Sequence, residues 1–196
     1  MVVHPERAAS PKLEILRLEA ERCVACVLST TRSRVVFGSG SPSARLMFVG
    51  EAPGREEDLS GLPFVGRSGQ LVVELLGEEF GIGREACYIA NVVKCRPPAN
   101  RNPRPAEIGS CAHFLERQIA LVAPALVMTL GNVATRALLA RREGISELHG
   151  RVIERDGYQV LPTFHPAAAF RSPKSVLDLM RADFRRGAQL LGGTRR

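Results

Sequence analysis

Five cysteines, Cys23, Cys26, Cys87, Cys95 and Cys111, stand out among the 196 residues. The first two lie three apart in "ERCVACVLS". That spacing suits a redox dithiol, half of a metal site, or two buried thiols. An odd count in a chain without an export signal argues against a disulfide framework and favours a metal or cluster site. Thiolates suit zinc and iron–sulfur clusters alike. The other chemistry-bearing residues are scattered. His165, in "LPTFHPAAAFR", stands at a strand end before Pro166. There it can donate to a developing anion or act as acid or base, or simply cap the turn. Asn91 interrupts the apolar stretch "YIANVV". A buried amide must have partners, either neighbouring backbone or a base edge offering one donor and one acceptor. Phe64 sits in a loop, where it either stacks on a base or staples the loop down. His4, His113 and His149 read as structural.

These residues need elements to position them. "PKLEILRLEAER" (11–22) places Leu13, Leu16 and Ala20 at helical spacing. The segments 68–80, 104–122, 132–140 and 173–191 also read as helices, with Ser68 a candidate cap and Pro105 in a first turn. The apolar runs 45–50, 87–93, 125–131 and 158–164 read as buried strands. The alternation predicts an α/β fold: a three-layer αβα sandwich around a central, mainly parallel four-stranded sheet. Ligand crevices in such sheets lie at the carboxyl ends of the strands, and the distinctive segments fall there. "GEAPG" follows the first strand, "KCRPPANRNP" the second and "HPAAAFR" the fourth. The loop 49–70 is rich in Gly and Pro, which lets backbone approach a ligand closely. It lacks the Lys-Ser/Thr ending of a phosphate-binding P-loop. The segment carrying Lys94, Arg96, Arg101 and Arg104 among prolines fits a rigid phosphate-contacting loop or a solvated basic one.

The bulk numbers narrow the class. Lys and Arg number 27 against 20 Asp and Glu, a net charge of +7. That excess favours a polyanionic partner. Apolar runs are too short and interrupted to cross a bilayer, and the N-terminus lacks a signal-peptide apolar core, so no membrane role and a cytoplasmic location are expected. One domain over 1–196 is expected, with flexible ends at 1–10 and 193–196.

Together, "GEAPGREED", "PFVGRSGQL", "YIANVVKCRPPANRNP", "LGNVA" and "LPTFHPAAAFR" resemble, in order and spacing, the motifs of the family 4 uracil-DNA glycosylases, the iron–sulfur class of bacteria and archaea. The resemblance runs from about Cys23 to Asp183. It implies a structural [4Fe–4S] cluster on Cys23, Cys26, Cys95 and Cys111, with Cys87 left as an inert thiol. It implies a monomeric enzyme that flips uracil out of single- or double-stranded DNA and hydrolyses its N-glycosidic bond. Gly50, Glu51 and Ala52 would lie under the sugar and uracil, Phe64 would stack on the base, and Asn91 would read its edge. His165 would donate to O2 of the leaving anion. Water positioning falls to Glu51 first, then to backbone groups or Asp58, because Ala52 stands where other classes carry a carboxylate. Arg96, Asn100, Arg101, Ala169, Phe170 and Arg171 would contact DNA. Many relatives have a leucine wedge at the position of Ala169, so Phe170 or Arg171 is expected to fill the vacated stack. No histidine lies between Ala90 and Glu107, so covalent trapping of the sugar is not expected.

Overall fold

The computed structural model describes residues 10–171 and 173–192. The ends expected to be flexible therefore lie outside the described residues, except for Ser10, which precedes the first helix. The chain forms α1 (Pro11–Glu21), β1 (Ser39–Gly40), β2 (Leu46–Gly50), α2 (Arg55–Ser60), α3 (Arg67–Leu75) and β3 (Tyr88–Asn91). It continues through α4 (Pro105–Val122), β4 (Leu126–Leu130), α5 (Asn132–Leu139), α6 (Ile145–Leu148), β5 (Ile153–Arg155), β6 (Tyr158–Thr163), α7 (Pro166–Arg171) and α8 (Pro173–Leu190).

The sheet order is β1-β3-β2-β4-β6-β5. The four expected strands are the parallel centre, β3, β2, β4 and β6. The sheet nevertheless has six strands, because the short β1 and β5 add antiparallel edges. Neither edge strand exceeds three residues. Runs that short carry no alternation long enough to read.

Alternate strand residues feed two cores, as the pleat requires. Met47, Val49, Ala90, Val127 and Val160 face α1, α4 and α5. Leu46, Phe48, Ile89, Met128 and Leu161 face α3 and α8, where Phe184 stacks on Phe48 at 5.4 Å. The sandwich is thus three-layered. Pro105 opens α4 as expected, and Glu107, three residues after Arg104, accepts the Arg104 backbone N–H at 2.7 Å. Helix α3 differs from expectation at both ends. Gly66, not Ser68, is its cap residue, and beyond Leu75 the chain widens into a π turn, Leu76–Phe80. The long loop after β2 is not all loop, since α2 forms within it.

Candidate active site

Four parallel strand ends converge on one cleft of about 570 Å³. Glu51 and Ala52 reach it from β2, Asn91 from β3, Asn132 from the start of α5, and Phe164 and His165 from β6. Phe64, Asn100, Arg101 and Arg171 complete its walls. Chain order separates these residues by more than a hundred positions, and the parallel sheet brings them together.

Gly50 and Asn91 are neighbours in the β2–β3 register. A Cβ on Gly50 would lie 2.5 Å from Asn91 Oδ1 and 2.5 Å from Phe64 Cζ. Glycine at that position is what allows the amide and the ring to stand side by side. Asn91 is 1% exposed, and its Oδ1 has no hydrogen-bond partner among the described residues. A buried, unpaired acceptor costs stability and calls for an explanation. Glu51 carries a carboxyl whose pKa burial raises.

Phe64 adopts φ 54°, a left-handed conformation costly for a bulky residue. Its neighbours hold it there. Glu57 accepts the backbone N–H groups of Gly54, Val65 and Gly66 at 3.1, 3.0 and 2.8 Å. The half-buried Arg84 donates to the Phe64 carbonyl at 2.8 Å, to the Pro63 carbonyl and to Ser39 Oγ at 3.0 Å. Gly69 of α3 lies so close that a Cβ would sit 1.9 Å from the Phe64 oxygen. Gly69→Ala should therefore cost about 2 kcal/mol or more and lower the melting temperature by several degrees, read by thermal denaturation. A wild-type melting curve would show that the Phe64 turn yields freely.

His165 follows β6, whose end is fixed by Thr163 Oγ1 donating to Asp183 Oδ2 at 2.7 Å. His149 Nδ1 lies 3.3 Å from Asp183 Oδ1, and its ring packs 4.8 Å from that of Phe164, a structural role as expected. His165 Nδ1 accepts the Ala167 backbone N–H at 3.2 Å. That bond leaves the proton on Nε2. Burial, reinforced by the Arg171 charge, lowers the His165 pKa to about 4, so the imidazole is neutral near pH 7.

The structure places the residues expected to contact DNA in different surroundings. Ala169 is 4% exposed, belongs to the same core as Leu161 and Met180, and does not line the cleft. Phe170 is covered by the Arg67 guanidinium, 4.0 Å from the ring centroid, whereas Arg171 is exposed and lines the cleft. Arg101 lines the cleft too, but its guanidinium is committed to Glu107 at 2.8 and 2.6 Å. That pairing first, and the Arg104 backbone N–H after it, hold the Glu107 pKa down to about 2. Arg96 donates to Asn100 Oδ1 at 2.7 Å across the basic loop. Asp58 does not line the cleft. It is 3% exposed and accepts the Ser33 N–H at 2.9 Å, tying α2 to the segment after α1. Sequence reasoning missed Glu57, Arg84 and Asn132. For Glu57, its place three residues into a helix after "APG" was a legible capping signal.

A second, smaller cavity is lined by Cys23, Cys26, Cys95 and Cys111 together. Arg32 Nη1 donates to Cys95 Sγ at 3.2 Å, and the Lys94 backbone N–H donates to Cys111 Sγ at 3.3 Å. Burial raises the pKa of the Cys95 and Cys111 thiols, that of Cys111 to about 11. Among the described residues, no group of three or more His, Cys, Asp or Glu is arranged to hold a single metal ion. Four thiols converging from α4, the loop after β3 and the segment after α1, beside two cations, fit a larger thiolate-bound group. Cys87 lies apart in the opposite core, its pKa raised by burial to about 12. No described helix is long and apolar enough to cross a membrane.

Residues 37–188 match the family described as the Uracil DNA glycosylase superfamily. The chain is 44% identical over 167 residues to a type-4 uracil-DNA glycosylase of Thermotoga maritima, covering 84% of this chain and 86% of the relative. It is 39% identical over 187 residues to a type-4 uracil-DNA glycosylase of Saccharolobus solfataricus, covering 91% and 86%. A relative of the same description from Archaeoglobus fulgidus is 38% identical over 182 residues, covering 89% and 90%.

Proposed function

The chain belongs to the uracil DNA glycosylase superfamily, and from that premise we propose how its cleft acts. The protein excises uracil from DNA in base repair by hydrolysing the N-glycosidic bond. The observation that carries the assignment to this cleft is the orphaned Asn91 Oδ1, a buried acceptor beside an aromatic ring. Uracil supplies the missing donor at N3–H, and its O4 accepts from the Asn91 amide. Cytosine presents the reverse pattern and would leave buried groups unpaired. A site built on such pairing can discriminate by roughly 10⁴-fold or more.

The base must leave the stack to reach Asn91, at a cost of about a few kcal/mol. Phe64 compensates in part by stacking on it, held rigid by Glu57, Arg84 and Gly69. As the bond breaks, negative charge gathers on N1 and O2 of the base. The neutral His165 donates from Nε2 to O2, and its orientation is preset by the Ala167 bond. Glu51, with its raised pKa, lies in the same cleft and positions the water that adds to C1′. Arg171 and the loop of Arg96 and Asn100 hold the flanking DNA, with Arg171 the exposed cation at the cleft. The purified protein should release free uracil from uracil-containing single- and double-stranded DNA in the presence of EDTA. Failure to release it from either would overturn the assignment.

The finer reading gives the chain a [4Fe–4S] cluster on Cys23, Cys26, Cys95 and Cys111. The shared cavity and the N–H donors to two sulfurs support it. When bound, the cluster supplies a structural cross-link between the segment after α1 and the base of the basic loop. The protein prepared without air should be brown and hold about four irons per chain. A colourless preparation carrying one zinc per chain would replace this reading with a zinc site. We further read the whole chain as one domain, a monomer working on cellular DNA in the cytoplasm.

A further inference from the structure

Lys94 is 1% exposed, yet both acceptors of its ammonium are neutral. Nζ donates to the Asn91 backbone oxygen at 2.7 Å and to Gln118 Oε1 at 2.5 Å. Gln118 in turn donates to the Phe37 carbonyl at 2.8 Å and to the Tyr88 hydroxyl at 3.1 Å. A buried charge persists when an opposite charge compensates it, and a methionine of similar size would fill the space without that demand. Lys94 also borders the four cysteines, whose metal-bound thiolates would supply that charge. Lys94 lines the cavity of the four cysteines, precedes Cys95 in sequence and gives its backbone N–H to Cys111 Sγ. Arg32 reaches Cys95 Sγ from the more exposed side. Four metal-bound thiolates carry more negative charge than the iron–sulfur core neutralises, so two flanking cations match the loaded site.

Resting on the cluster reading above, we propose that Lys94 is the buried counter-cation of the four-cysteine site and that its hydrogen bond to the Asn91 carbonyl tethers that site to Asn91. One residue then couples the loading of the cysteines to the end of the strand that reads the base. Lys94 is a positioning residue, because it reaches the base through Asn91.

Two substitutions separate the two roles. Lys94→Gln keeps a donor for the Asn91 carbonyl and loses the charge, whereas Lys94→Met loses both. In both variants a chelator should strip iron about 10-fold or more faster than from the wild type, and the reduction potential of the cluster should move to more negative values. Only Lys94→Met should lose about 10-fold in single-turnover uracil excision, with KM unchanged, and Lys94→Gln should lose several-fold less. Iron retention and potential like those of the wild type in Lys94→Gln would overturn the counter-cation. Full excision by Lys94→Met, or equal losses in both variants, would overturn the tether. Should Lys94→Met fail to fold, Lys94→Ala replaces it for the tether. That variant also removes the hydrogen bond to the Asn91 carbonyl and should slow excision about 10-fold, and an unchanged rate would overturn the tether. An iron-free wild type would instead remove the cluster reading, leaving the excision comparison to stand by itself.

Discussion

Asn91→Ala should lower the single-turnover rate of uracil excision by about 10³-fold or more, with DNA affinity changed by less than about threefold. In the proposed site the amide would make the contacts that distinguish the base, and it is 1% exposed, shielded from water. On the proposed reading, affinity for DNA would rest on phosphate contacts made elsewhere and so would survive. The same variant should keep or raise the melting temperature. Asn91 Oδ1 has no partner among the described residues, so its removal abolishes a desolvated acceptor without breaking a hydrogen bond. This pairing of outcomes separates a recognition residue from a structural one. A rate within a few-fold of wild type would refute the base-reading role. A drop of many degrees in melting temperature would mean that Asn91 supports the fold instead.

His165→Ala should cost about 10²- to 10³-fold in the excision rate, the usual loss for one donor aimed at developing negative charge, roughly 3 to 4 kcal/mol. The accompanying pH profile is specific. Burial lowers the His165 pKa to about 4, so the donor is already neutral across the neutral range. The wild-type rate should therefore be flat from about pH 6.5 to 8. It should fall on the acid side as Glu51 takes up a proton, at a pH above the ordinary glutamate value because its carboxyl is buried. Glu51→Gln should remove that limb and leave a slower, flatter profile. The stability consequence has the opposite origin but the same direction for His165. Below about pH 6.5 the unfolded chain binds a proton that the folded site refuses, so stability falls as pH drops toward 4. A wild-type inflection near pH 6.5 that vanishes in His165→Ala would mean that an imidazolium, not a neutral ring, is the donor.

The departure at Ala169 has a physical basis in α7. The segment "HPAAAFR" forms a helix, and a helix turns successive residues about 100° apart. Ala169 therefore points into the core between the sheet and α8, where a small side chain fits. Arg171 emerges at the cleft, and Phe170 emerges beneath Arg67. Sequence alone, which offered Phe170 or Arg171 for the vacated stack, could not separate these three neighbours. Arg101 shows the same limit. Composition marks it as a cation near DNA, while the partner that occupies it, Glu107, is a buried acid at the start of α4.

The sequence by itself determined the layers, the four parallel strands, most helix positions and the segments that carry chemistry. Periods of two and 3.6 residues are local, and a short stretch contains the whole signal. The resemblance then supplied the roles of Asn91, His165 and the four cysteines. Tertiary structure alone decided which side chains meet. Arg84 reaches a carbonyl 20 positions away, Lys94 a glutamine 24 positions away, and Arg32 a sulfur 63 positions away. Such pairings depend on loop closure and on the space that neighbouring elements leave, and these quantities leave no periodic trace in the chain. The orphaned Asn91 oxygen belongs to the same class. That Asn91 is buried follows from the strand, but that its unpaired acceptor stands beside Phe64 depends on the bare backbone of Gly50 and on the contacts of Gly69 and Arg84 that place Phe64.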